Sequence, residues 1–275
     1  MLNVPPIYIN LADQLRLKQC RYGPMLFLAN DRYIGGALDK YGEFSEGEVH
    51  LFRQLVQPNW TVMDVGANHG THTVALAQIV GAFGRVYAFE PQRVLFQLVC
   101  ANLALNSLGN VYAYCGGVGR ELGFLNVPQV DYTRPNNFGA LEMGGIGGDS
   151  VPLVTIDSLT LPQLHFAKID AEGMEGDVII GATETIARYR PLLYMENDRE
   201  DKSPALIQQM WDLDYELYYH IPFYYNRYNF YGVAENIYGG TISVNMLCVP
   251  NDKPITVPNE CHPIKNVTDT WRICV

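Results

Sequence analysis

An α/β fold, with a mostly parallel sheet covered by helices on both faces, is predicted by three features of this 275-residue chain. Between about 60 and 200, apolar stretches of strand length alternate with segments of helical periodicity, the pattern of parallel strands joined by crossover helices. One stretch, Val62-Met-Asp-Val-Gly-Ala-Asn-His-Gly70, runs straight into a glycine-cornered turn. Finally, Asp64, Glu90, Asp170 and Glu196 all fall at the carboxyl ends of strand candidates, where open α/β sheets bind ligands.

The strand candidates are 61–65, 85–89, 111–115, 166–169 and 192–196, with helices from Thr71, over 92–106 and over 176–187. Residues 1–58 read as an N-terminal extension with an amphipathic stretch over 11–20, a hairpin around 22–34 and a helix from Ser45. Ser45-Glu-Gly-Glu48 has capping-box spacing, and Val49, Leu51, Phe52, Leu55 and Val56 supply the apolar face behind it. Pro58 ends that helix, and residues 59–275 form the sheet domain. Residues 119–150 are rich in Gly and Asn, including 136–139 and 144–148, and read as a loop insertion or hairpin excursion near the ligand, of the kind that forms lids. After 200 come a helix (203–211), a strand (215–219) and a late β-branched strand (241–249) that completes the sheet in antiparallel sense. Between them, the aromatic run 221–231 suits either the wall of an acceptor pocket or core and oligomer interface.

The turn at 64–70 chooses among cofactors. A dinucleotide turn needs a middle glycine to admit the pyrophosphate, and here that position is Asn68. Asp64 ahead of the first glycine would repel a diphosphate, whereas a carboxylate suits the α-amino group of S-adenosylmethionine, directly or through water. Asp64, Gly66, Asn68 and Gly70 are therefore expected around the amino-acid part of that cofactor. Glu90, about twenty residues on, is placed to hold the ribose hydroxyls. Gly116, in Cys115-Gly-Gly-Val118 at the third strand's end, is expected on the adenine side.

Four blocks, Asp64-Val-Gly-Ala-Asn-His-Gly70, Phe89-Glu-Pro91, Val154-Thr-Ile-Asp-Ser-Leu159 and Lys168-Ile-Asp-Ala-Glu-Gly173, together resemble the FkbM-type methyltransferase family. The resemblance covers about 45–200. It implies a Rossmann-like class I fold and an S-adenosylmethionine-dependent enzyme, most often an O-methyltransferase acting on hydroxyls of sugars or secondary metabolites. Asp157 matches the third block, and a turn or cap for Ser158-Leu159 explains it equally well.

Methyl transfer to an alcohol needs an aligned acceptor oxygen and a group that takes its proton. Asp170 or Glu172 is the expected base, with His69 in the turn as an alternative. His72 reads as a helix-surface residue, while His50, His165, His220 and His262 have no partner spacing. Asp170, Glu196 and Asn197 end neighbouring strands and could hold Mg²⁺, similar to the layout of catechol O-methyltransferase. Lys168 should face the side of the sheet opposite Ile169.

A formal charge of −10 with no dense Lys/Arg run opposes nucleic acid and anionic membranes as partners, which leaves a small-molecule or glycan acceptor. No apolar run reaches the roughly twenty residues of a membrane span, and no leader pattern occurs at the start, so a cytoplasmic protein is expected. Cys20, Cys100, Cys115, Cys248, Cys261 and Cys274 lack metal-ligand spacing and read as thiols, although a Cys261–Cys274 bridge stays open. A homo-oligomer also stays open. The rival readings are a non-catalytic binding protein of the same fold and, against Asn68, an NAD-dependent oxidoreductase.

Overall fold

The computed structural model describes residues 9–11, 14–141, 148–253 and 255–273. The chain opens with β1 (Ile9–Leu11), β2 (Leu15–Cys20), β3 (Gly23–Leu28), α1 (Ile34–Tyr41) and α2 (Glu46–Leu55). Next come β4 (Thr61–Val65), α3 (Thr71–Val80), β5 (Arg85–Phe89), α4 (Arg93–Leu105) and β6 (Val111–Tyr114). The excursion holds β7 (Gly117–Val118), β8 (Gly123–Val127) and β9 (Asp149–Val154). The sheet resumes with β10 (Phe166–Ile169), followed by α5 (Glu175–Ile180), α6 (Thr183–Tyr189), β11 (Leu192–Glu196) and α7 (Ser203–Asp212). It finishes with β12 (Tyr215–His220), β13 (Asn245–Pro250) and β14 (Cys261–Pro263).

Eight strands form the central sheet in the order β14-β12-β13-β11-β10-β4-β5-β6. From β11 to β6 every pairing is parallel, and β13 enters antiparallel between β11 and β12. The mostly parallel α/β fold with a late antiparallel strand is thus present. Strand order reverses at β4, because β5 and β6 build outward on one side while β10 and β11 build on the other. A crevice at the carboxyl ends of β4 and β10 follows from that reversal.

Alternation along the strands decides which helix each residue meets. Met63, Ala167, Ile169 and Met195 pack against Val178 and Ile179 of α5 and Ile207 of α7. On the other face, Val62, Phe166 and Tyr194 pack against Phe52 of α2 and Leu76 of α3. The apolar face of the upstream helix α2 is therefore buried on the sheet. No helix among the described residues is long and apolar enough to cross a membrane.

Several local expectations need correction. The hairpin turn lies at Arg21-Tyr22, so its first arm is the stretch read as amphipathic, and residue 34 opens α1. Ser45 precedes α2 with φ 46° and makes no side-chain cap; its Oγ donates to Glu48 Oε1 at 2.7 Å instead. Burial explains this, since Glu48 is 4% exposed and its carboxylate competes for the hydroxyl better than a backbone amide does. The helix read over 176–187 breaks at Gly181, where a Cβ would stand 2.1 Å from the Gly119 carbonyl oxygen. Within 119–150 the hairpin alternative holds in part: β8 pairs antiparallel with β9, which begins at the end of that range and also pairs with β7. The Gly144–Gly147 part of the insertion lies outside the described residues, as does Cys274. The other five cysteines are free thiols.

Asp157 caps a helix, but a different one from that expected. Its carboxylate accepts the N–H groups of Glu184 and Thr185 at 3.0 and 2.8 Å, in the first turn of α6. Asp157→Ala should lower stability by about 1 kcal/mol. Urea unfolding monitored by circular dichroism checks this, and an unchanged midpoint would mean that the cap contributes nothing.

Candidate functional site

The turn after β4 is shaped by three left-handed residues, Gly66 (φ 80°), Asn68 (φ 52°) and Gly70 (φ 80°). Gly66 has a second reason to be glycine: a Cβ there would lie 1.9 Å from the Asp170 carbonyl oxygen. The tips of β4 and β10 touch only because that side chain is absent. Asn102 of α4, fully buried, fixes the turn from behind, donating to the His69 carbonyl at 2.8 Å and exchanging hydrogen bonds with the Leu26 backbone.

Above the turn lies a cavity of about 310 Å³. Its first half is lined by Gly66, Asn68, Glu90, Gln92 and Gly116, the positions expected to meet a nucleoside and its amino-acid arm. Glu90 is 4% exposed, and its two carboxylate oxygens accept Asn68 N–H at 2.7 Å and Gln92 N–H at 2.8 Å. Each oxygen keeps a second lone pair for a ligand. Burial pushes the Glu90 carboxyl up to about 7, against the two amides that favour its charge. The insertion closes this half from above: Asn137 and Gly139 line it, while the Phe138 carbonyl accepts from Gln92 Nε2 at 2.7 Å.

Three expected contacts are displaced. Asp64 is fully buried below the floor, where Oδ2 accepts from Thr73 Oγ1 at 2.5 Å and Oδ1 lies 3.5 Å from Lys168 Nζ. It supports the turn instead of lining the cavity, because residues 62 and 64 share the strand face that α2 and α3 cover. Gly70 lies outside the lining as the residue preceding α3. His69 points back to the hairpin, with Nε2 3.4 Å from Leu28 N and Nδ1 3.5 Å from Asp31 Oδ2; burial holds it down to about 3. It too is absent from the lining, so its placement does not suit a base.

Register explains the ionic centre. Lys168 on β10 stands directly opposite Asp64 on β4, and its Nζ reaches Asp64 at 3.5 Å, Asp170 at 3.2 Å and the Gly66 carbonyl at 3.3 Å. Burial opposes its charge, but Asp170, Asp64 and Glu48 overcome this and hold its pKa above the ordinary lysine value. Lys168 thus stays charged. It lies opposite Ile169, with Asp64, on the face expected.

At the cavity's second half the carboxylates of Asp170, Glu172 and Glu196 offer oxygens within 4.8 Å of one another. Burial first, then the Asp170 charge, pushes Glu172 up to about 8 even though Arg199 pairs with it at 3.2 Å. Glu196 is also held well above the usual carboxylate range, by burial and then by Asp170 and Glu172. The ligand set suggested for Mg²⁺ is not assembled: the Asn197 amide turns away to Met246 Sδ at 3.8 Å, on the opposite side of β11. Two of the three converging carboxylates already hold Lys168 and Arg199. Each keeps a second oxygen, so Asp170, Glu172 and Glu196 could hold a cation together, with Glu172 in the place expected for Asn197.

Three residues that line this half went unnoticed in the sequence: Glu48 of α2, and Tyr33 and Phe44 from the ends of α1 and α2. Tyr224 joins them from the aromatic run, whose Tyr225 packs on Tyr41 of α1 while Phe223 and Tyr228 are exposed. His72, expected on a helix surface, is 7% exposed and lines the cavity. The capping-box glutamate was the one visible signal for Glu48.

Residues 64–217 match the Methyltransferase FkbM domain, more than half of the chain. The chain belongs to the FkbM methyltransferase family. Among solved structures, it is similar to methyltransferase FkbM from Methylobacillus flagellatus, at 18% identity and a TM-score of 0.49, covering 70% of this chain and 44% of that one. The chain thus spans less than half of that protein. It is also similar to precorrin-6y C5,15-methyltransferase from Geobacter metallireducens (13% identity, TM-score 0.47, 73% and 87% covered). A putative methyltransferase from Streptococcus mutans in complex with SAH is similar at 13% identity, with a TM-score of 0.45 and 74% and 96% covered. No curated protein matches the chain. S-adenosylmethionine is the cofactor of a methyltransferase of this family, and Gly66, Glu90 and Gly116, the residues expected to meet it, all line the cavity.

Two outcomes follow from this ionic arrangement. Lys168→Met strands Asp64 as an uncompensated buried charge and should cost about 3–5 kcal/mol in urea unfolding. A loss below about 1 kcal/mol would show that the lysine is not what neutralises Asp64. Glu172 has a folded pKa of about 8 against an ordinary 4.5, so the stability it contributes is complete below pH 4.5 and is lost as pH rises to about 8. The unliganded protein should lose stability over that window, and Glu172→Gln should lose less of it. Parallel pH profiles for the two proteins would refute this.

Proposed function

We propose that this chain transfers the methyl group of S-adenosylmethionine to a hydroxyl of a sugar, glycan or secondary metabolite. The observation that carries the reading is the continuity of one cavity from Glu90 and the glycine turn to the carboxylates at the ends of β10 and β11. S-adenosylmethionine, bound in the first half, supplies a methyl on a cationic sulfur.

The chain's own residues do the rest. Asn68, Gly66 and Glu90 orient the donor against the floor, and the insertion shields it from water through Asn137 and Gly139. Glu172 is the preferred base: held up to about 8, its carboxylate accepts an acceptor hydroxyl proton better than an ordinary carboxylate does. Asp170, tied to Lys168, supplies fixed negative charge beside it. Arg199 holds Glu172 in place at 3.2 Å. Asn68 at the middle of the turn, where a dinucleotide needs glycine, supports this reading over a nicotinamide enzyme.

Isothermal titration with S-adenosylmethionine should give saturable binding, weakened at least about tenfold by Glu90→Ala, the size expected for hydrogen bonds to a buried charge. NAD⁺ should not bind. A panel of glycans and hydroxylated ring compounds, read by formation of S-adenosylhomocysteine, then identifies the acceptor. Binding of NAD⁺ in place of S-adenosylmethionine would end the methyltransferase reading.

A further inference from the structure

The acceptor end of the cavity carries more negative charge than its own cations match. Lys168 serves Asp64 and Asp170, and Arg199 serves Glu172. No lysine or arginine among the described residues comes within ion-pair reach of Glu48 or Glu196, although both line the cavity. The donor brings a net single positive charge. Five carboxylates, Asp64, Asp170, Glu172, Glu48 and Glu196, then face three positive charges, and burial compensates by raising the pKa of Glu48 and Glu196.

The geometry around Glu48 is that of a site for a cation with several N–H donors. Ser45 Oγ holds Glu48 Oε1 at 2.7 Å, while Oε2 lies 3.8 Å from His72 Nε2. That separation is too long for a direct hydrogen bond, and His72 Nε2 is buried with no partner among the described residues. A single nitrogen at about 2.8 Å from both atoms spans such a gap. A hydroxyl bridges them by donating to Glu48 and accepting from a His72 Nε2–H, whereas an ammonium donates to both and adds its charge to the bond with the carboxylate.

The surrounding walls are aromatic. Phe44 lies 6.1 Å from the His72 ring and 5.2 Å from Tyr224, and Tyr33 lies 6.0 Å from Tyr224, centroid to centroid. Aromatic faces attract a cation, and the Glu48 carboxylate takes its charge. His72 is held neutral by burial, so it does not compete for Glu48 as a cation.

We propose that Glu48 and His72, walled by Phe44, Tyr33 and Tyr224, form an ammonium subsite, so that the methyl acceptor is an amine-bearing compound of the amino-sugar class. The inference rests on the reading of this cavity as a methyltransferase site. The protonated amine has no free lone pair and is not the nucleophile. It anchors the acceptor, and a hydroxyl of the same ring is what meets the methyl.

The test compares glucosamine with glucose, two rings that differ by ammonium against hydroxyl, on the protein saturated with S-adenosylhomocysteine, by NMR titration. Glucosamine should bind about tenfold more tightly, the scale of a charge-assisted hydrogen bond, and Glu48→Gln should bring the two close to parity. Near-UV circular dichroism checks the variant's fold. Should it not fold, Tyr224→Leu is the second variant, expected to reduce the preference by removing an aromatic wall. Equal affinities for the two sugars would overturn the ammonium subsite while leaving a sugar acceptor in place. Binding of neither sugar, with S-adenosylhomocysteine still bound, would overturn it as well. Failure of the wild-type protein to bind S-adenosylhomocysteine would instead remove the methyltransferase reading underneath.

Discussion

A single buried ammonium, Lys168 Nζ, holds the centre of this molecule together. It lies between Asp64 and Asp170 and reaches the Gly66 carbonyl, so one cation joins the tips of β4 and β10 and the turn between sheet and cavity. Three carboxylates within its field would otherwise repel one another across a low-dielectric space. Gly66 allows the approach, since any side chain there would collide with the Asp170 backbone. The turn's shape, the position of Asp170 and the cavity floor are therefore one constraint seen from three sides.

From that centre the cavity divides by the origin of its walls. The donor half belongs to consecutive pieces of the chain, namely the β4 turn, the tip of β5 and the start of the insertion. The acceptor half is assembled from Tyr33, Phe44 and Glu48 ahead of the sheet and from Tyr224 and Ser243 beyond it. Segments far apart in sequence meet there because α2 buries its apolar face on the sheet and Tyr225, next to Tyr224, packs onto Tyr41 of α1. On the proposed reading, acceptor choice and donor binding rest on different parts of the polypeptide.

The same division governs the charges. Glu90 takes two backbone amides from neighbours within twenty-two residues and is satisfied locally. Glu172 follows β10 and Glu196 ends β11, and burial first, then the Asp170 charge, raises both pKa values above the ordinary range, with Glu172 adding to the rise at Glu196. Such coupling depends on a distance across strands, and no local sequence pattern encodes it.

The sequence by itself determined the parallel strands, because five apolar runs bounded by turns have one stable solution once helices cover both faces. It also determined the turn: three left-handed residues require the glycines and the asparagine seen there. Glu90 was legible for the same reason, since its position is set by strand length alone. Only the tertiary structure decided which polar side chains face the cavity. Asp64 lies on the face that α2 and α3 cover and became a buried support, and Asn197, one residue past Glu196, turned to the far side of β11. His72 passed from apparent helix surface to cavity wall because α2 and Phe44 cover it, and Glu48 became a site residue through the same docking. Strand alternation fixes a side chain's direction locally, but what waits in that direction is supplied by distant chain, and apolar packing chooses it.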